Sequence, residues 1–378
     1  MRKLLLILLG VIIIGAGAGI YYVESKYLGI GLPWNDSVDL AEMPDLPEPV
    51  AQLTADSSGK IYFPTKSPYD FSSLLTGFDE LSSHSGVGEL SLPDDASAEN
   101  PVPAIIILHG SGGIKAERET AYAAMFNKMG IAAFVLDYYT PRGNAAEEHY
   151  IRKVLSATES DIIVDAFSAL KLIGTHPAID AAKIGVTGYS YGGMVTRYVL
   201  DPRLKNIVAP DVPPFALHMD FYGPCHQVLG EDQTTGGAYL AIFGDQDNSV
   251  DPKACAKVQE TLKANGVSVE SHMLKGAGHA WESSVERAMS DNPYVRDCEF
   301  SYHPETGDPL VDGEPVSKAK VNATRGERAF VRTAISIETP HCIGEGYVIG
   351  NDPVSDKKAK AIMIEFLKKQ GFAKEGMR

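Results

Sequence analysis

A serine flanked by glycines two residues away on either side, in Gly188-Tyr189-Ser190-Tyr191-Gly192-Gly193, has the spacing of a nucleophile carried on a tight turn. The run Lys183–Thr187 before it reads as a buried strand, and 192–200 after it as a helix. Strand, turn and helix together would present the hydroxyl at a sheet edge, beside the backbone N–H groups of the helix start. A serine hydroxyl needs a base, and the base needs a carboxylate to orient it. His279, in Gly276-Ala277-Gly278-His279-Ala280-Trp281, is the candidate base. Asp247 is the candidate acid, at the turn of the loop 244–250. Asp245 and Asp251 are its rivals. The chain order serine, acid, histidine is the one that this strand-turn-helix arrangement requires.

Stabilising an oxyanion takes a second loop of donors. Leu108-His109-Gly110-Ser111-Gly112-Gly113 supplies one, directly after the β-branched run Ala104–Leu108. The N–H groups of Ser111 and Tyr191 are the expected oxyanion hole, with Gly112 as substitute for Ser111. The loop lacks the Lys-Ser/Thr ending and the glycine spacing of a phosphate cradle. Between the second core strand and the next helix lies Tyr138–Gly143. Arg142 in it is a candidate partner for an anionic substrate group, or a surface cation. Tyr139 and Trp281 are candidates for the pocket wall, or for packing. His218, Asp220 and His226 make no recognisable metal constellation, so no metal is expected.

These side chains need a scaffold. Strands are expected at 60–64, 88–93, 104–108, 131–136, 183–187, 216–222, 238–243 and 268–274. Helices are expected from a cap at Thr158 or Ser160, at 253–264 behind Pro252, and at about 356–370. Such alternation predicts a mostly parallel sheet with helices on both faces. Residues 290 to about 345, rich in Pro, Gly and charge, break the pattern and read as an irregular insertion.

The 378 residues suffice for one large α/β domain, and 44% hydrophobic residues give ample core. A formal net charge of -15 excludes a nucleic-acid partner. Arg2 and Lys3 precede an apolar run to Val23, so residues 1–23 read as a signal peptide or a signal anchor, either cleaved near Ala16-Gly17-Ala18 or left spanning the membrane. Residues 24–58, rich in Pro and acid, read as an extended linker, and 59–378 as the folded domain. Export to the periplasm or beyond suits the four cysteines, with disulfides expected as Cys225–Cys255 and Cys298–Cys342.

The set His109–Gly113, Asp137–Gly143, Gly188–Gly193, Gly244–Asp247 and Gly278-His279 resembles the dienelactone hydrolase family, over about residues 60–285 plus the last helix. The resemblance implies an α/β-hydrolase fold that acts on small-molecule esters without a cofactor. The named enzymes of that family carry Cys where this chain has Ser190, a departure that points toward serine carboxylesterases. The same triad suits the amide bond of a short peptide, although no propeller-like segment accompanies it. A catalytically silent, membrane-tethered binding protein is the reading from outside enzymology, and the complete triad argues against it.

Overall fold

The computed structural model describes residues 36–228 and 233–373. Its central sheet holds eight strands, β1 (Gly59–Lys66), β2 (Ser83–Ser91), β3 (Val102–Leu108), β4 (Ala132–Asp137), β5 (Ile179–Tyr189), β6 (Leu217–Phe221), β7 (Ala238–Gly244) and β8 (Val269–Leu274). They lie in the order β1-β2-β4-β3-β5-β6-β7-β8. From β4 to β8 the neighbours are parallel, and β1 and β2 add an antiparallel edge. This is the α/β-hydrolase architecture.

Successive side chains of β3 point to opposite faces, as strand geometry demands. Ala104, Ile106 and Leu108 join one apolar cluster with Ile162, Phe167 and Leu170. Ile105 and Ile107 join a second with Tyr122, Phe126, Met363 and Phe366. Two covered faces explain why the run has no polar alternation. The covering helices include α1 (Ala121–Lys128), α2 (Glu159–Ile173), α3 (Tyr191–Tyr198), α4 (Pro252–Ala264) and α6 (Pro353–Lys369), while α5 (Arg325–Glu338) lies off the sheet, its Ala329 packed with Val38 and Tyr69. Thr158 and Asp161 form a capping box at the start of α2, and Asp251 caps α4 ahead of Pro252. The chain leaves β3 for β4 on one side and returns to β5 on the other. That reversal opens a crevice at the carboxyl ends of β3 and β5, where ligands of such sheets bind.

Two expectations change. Residues 36–58 have no helix or strand, but they are not a free linker. Val38 and Leu53 are buried, the Val38 N–H donates to Gly326 O (2.9 Å), and the Leu53 N–H donates to Thr175 Oγ1 (2.9 Å). Their apolar side chains find cover on the domain, which a linker read from Pro and acid content does not anticipate. The insertion, too, is more ordered than its composition suggests. With its flanks, from 288 to 349, it contains β9 (Ala288–Met289), β10 (Pro293–Val295), β11 (Phe300–Tyr302), β12 (Pro309–Val311), β13 (Glu314–Pro315), β14 (Ile343–Glu345) and β15 (Val348–Ile349), besides α5. A Thr324–Glu327 capping box starts α5. Disulfides join Cys225 to Cys255 and Cys298 to Cys342, the pairs expected. The leader lies outside the described residues, among which no helix is long and apolar enough to cross a membrane.

Candidate active site

Ser190 sits between β5 and α3 with φ 53° and ψ -112°, a strained conformation for a residue with a side chain. Its N–H donates to Phe221 O of β6 (2.9 Å), which fixes the turn. The flanking glycines are required by contact. A Cβ on Gly188 would lie 2.2 Å from Gly192 O, and one on Gly192 2.5 Å from Leu108 O. Only bare backbone lets α3 rest on the ends of β5 and β3.

The Ser190 Oγ is 2.8 Å from His279 Nε2, and His279 Nδ1 is 2.6 Å from Asp247 Oδ2. His279 and Asp247 are buried and Ser190 half-buried, so the chain of contacts ends at an accessible hydroxyl. The carboxylate acceptor requires Nδ1 to carry its proton, leaving the Nε2 lone pair toward the serine. Asp247 Oδ1 accepts from the Ser249 hydroxyl (2.5 Å) and N–H (3.0 Å). The rivals do other work: Asp245 accepts from the Gly276 N–H (2.7 Å), and Asp251 caps α4.

The insertion grips the histidine. The His279 N–H donates to Val348 O of β15 (2.7 Å), and the Gly350 N–H donates to His279 O (3.0 Å). A Cβ on Gly278 would strike Val348 O at 2.6 Å. Tyr222 and Tyr347 flank the imidazole, with ring centroids at 4.6 and 5.2 Å. The Tyr222 hydroxyl donates to the Glu282 carboxylate, whose pKa burial raises above the usual range.

At the expected oxyanion loop, Gly110 to Gly113 close a turn through the Gly113 N–H and Gly110 O (3.0 Å). Ser111 is half-buried and Gly112 exposed. The Tyr139 hydroxyl donates to Ser111 O (3.0 Å), turning that peptide so its carbonyl is occupied. The Tyr191 N–H opens α3 and has no intrahelical acceptor. The contact between Gly192 and His109 O, 2.6 Å for an added Cβ, brings the two loops side by side.

Three substrate-contact expectations are corrected. Arg142 is fully buried, hydrogen-bonds Asp165 (2.6 Å) and pairs by charge with Asp161 (3.4 Å), so its charge is spent inside the core. Tyr139 is buried against His109 and acts on the loop, not on a ligand. Trp281 has no exposed surface and stacks edge-on behind Tyr222 at 4.7 Å. Ser249, Tyr222 and Tyr347 join the site although no motif in the sequence marks them. Ser249 stands two residues beyond the acid, the spacing at which a following N–H and hydroxyl turn back onto an Asp side chain. Tyr347 lies in the insertion, and no local pattern links it to His279.

The profile of the dienelactone hydrolase family matches residues 90–305, more than half of the chain. The chain belongs to that family. As a dienelactone hydrolase family member it is a hydrolase. A Bradyrhizobium protein named "Probable 2-oxo-3-(5-oxofuran-2-ylidene)propanoate lactonase" is 23% identical over 202 residues, covering 50% of this chain and 76% of that protein. Among solved structures, a thermophilic esterase from Thermogutta terrifontis with bound propionate is 18% identical, with TM-score 0.41 over 52% of this chain and 80% of that one. The butyrate-bound form of the same esterase is 16% identical, with TM-score 0.41 over the same shares.

Proposed function

We propose that this dienelactone hydrolase family member is a serine carboxylesterase working through an acyl-enzyme at Ser190. The observation that carries the reading is the unbroken contact from Ser190 Oγ through His279 to Asp247, at 2.8 and 2.6 Å. The Ser190 hydroxyl attacks the ester carbonyl while His279 Nε2 takes its proton. Asp247 stabilises the imidazolium without becoming protonated. The Tyr191 and Ser111 N–H groups receive the developing oxyanion, and His279 returns the proton to the departing alkoxide. Water, deprotonated by the same imidazole, then attacks the acyl-enzyme and frees the acid. Every step uses protein groups and water. The two disulfides and the basic-then-apolar leader support an extracytoplasmic site of action, with residues 4–23 as the membrane contact where the leader is retained. Turnover of p-nitrophenyl acetate tests the proposal. Ser190→Ala is expected to lower kcat about 10⁴-fold or more with an unchanged circular dichroism spectrum. Full activity in that variant would refute it.

A further inference from the structure

The insertion roofs a cavity of about 230 Å³. Sites that enclose a whole drug-sized ligand span roughly 300–1,000 Å³, so this one fits a single arm of a substrate. Its floor is the start of α2, at Glu159 and Ser160, and its roof is apolar: Phe300, Leu310, Val311, Val331 and Ile335. No triad residue lines it, yet three of its walls connect to the triad's neighbours through one or two side-chain contacts. Glu159 follows closely on Ala157, whose carbonyl accepts from the Tyr191 hydroxyl (3.0 Å), one residue past the nucleophile. His226 belongs to the loop that begins at Tyr222, beside the His279 ring. Val295 adjoins Tyr294, which packs on Tyr347 (6.1 Å), itself packed on His279 (5.2 Å). Glu159 starts α2 in the crossover from β4 to β5, so the floor of the cavity lies on the carboxyl side of the sheet, the side that carries Ser190.

Its charges cancel internally. Arg332 pairs with Glu159 (2.7 Å), Lys318 with Asp308 (2.6 Å), and Arg328 with Asp70. All six residues line the cavity. The His226 imidazole, its Nδ1 buried and without a partner among the described residues, is pushed down to about 4 by desolvation and adds no charge at neutral pH. Arg142, the expected anion partner, is consumed by Asp161 and Asp165. Lys153, a buried cation beside Gly113, donates to Ala146 O (2.7 Å) and does not line the cavity. A carboxylate placed here would lose its hydration and find each cation already paired.

We infer that this cavity is the subsite for an uncharged apolar arm, so the chain favours neutral esters with an aliphatic or aromatic arm over esters carrying a carboxylate. This rests on the esterase reading. The test compares kcat/KM for p-nitrophenyl acetate, p-nitrophenyl octanoate and mono-p-nitrophenyl suberate, the last equal in length to octanoate but ending in a carboxylate. Octanoate should exceed the suberate monoester tenfold or more. Val331→Trp, which fills the cavity from α5, should cut the octanoate value tenfold or more and leave acetate within twofold. Ile335→Trp, one turn along, should repeat that pattern. An octyl acetate against ethyl acetate series assigns the arm: sensitivity to Val331→Trp there places the alcohol chain in the cavity, and sensitivity in the acyl series places the acyl chain. A preference for the suberate monoester, or equal effects of both tryptophans on short and long esters in both series, overturns the inference. Binding of p-nitrophenyl octanoate to Ser190→Ala gives a readout independent of turnover. If no ester is turned over, the esterase reading fails. The subsite is then judged by binding alone: tenfold weakening by Val331→Trp in the Ser190→Ala background supports it, and unchanged binding overturns it.

Discussion

Ser249 and Arg142 illustrate two uses of a polar side chain near this site. The first donates to the free oxygen of Asp247, leaving that carboxylate one oxygen for the imidazole. The second neutralises Asp161 and Asp165, two carboxylates with no exposed surface to speak of. Removing one member of a buried ion cluster strands the rest, at a cost of about 3–5 kcal/mol. Arg142→Met is therefore expected to lower unfolding free energy in urea by about that amount while the folded fraction keeps its kcat/KM for p-nitrophenyl acetate. A selective rise in KM would return Arg142 to the substrate. The triad was legible because Ser190, Asp247 and His279 each sit behind a strand, in a fixed chain order. Arg142, Tyr139 and Trp281 were not, because burial depends on what folds over a loop, and those covering groups are distant in the chain.

At the scale of elements, periodicity located the strands well. The expected 104–108 and 238–243 fall inside β3 and β7, since a strand covered on both faces is a plain apolar run. Helix α5 escaped because its sequence, RGERAFVRTAISIE, spreads four Arg or Glu residues over its first eight positions. Several of them pair with the body: Arg328 with Asp70 and Arg332 with Glu159. The insertion earns its order partly through the Cys298–Cys342 bond, which closes a 44-residue span just before β14. From there the chain reaches β15, whose Val348 carbonyl holds the His279 N–H. Replacing both cysteines by serine should lower stability by about 2–4 kcal/mol. Because β15 clamps the base, it should also lower kcat for p-nitrophenyl acetate more than it raises KM. Unchanged kcat in the double variant would show that β15 stays in place without the bond.

For the molecule as a whole, acid is the expected weakness. His109 and His218 have no exposed surface, and burial pushes each down to about 4. Unfolding returns them to about 6.5, so below that pH the unfolded chain binds protons that the native state refuses. Their contribution is complete above about pH 6.5 and is lost as the pH falls toward 4. Each adds a slope of at most about 1.4 kcal/mol per pH unit. Urea midpoints should fall between pH 6.5 and 4.5, and His218→Gln should flatten the decline. Asp220, which burial pushes up to about 7, takes up a proton in the native state over the same range and works in the opposite sense, so identical pH profiles for the wild type and His218→Gln would contradict the assignment.

The central claim is that Ser190 is the activated nucleophile, and a fluorophosphonate probe followed by peptide mass mapping tests it most directly. A single covalent adduct on the peptide containing Ser190, abolished in Ser190→Ala and in His279→Ala, is the predicted result. Native protein that resists the probe, or an adduct on another residue that persists in both variants, would contradict the account.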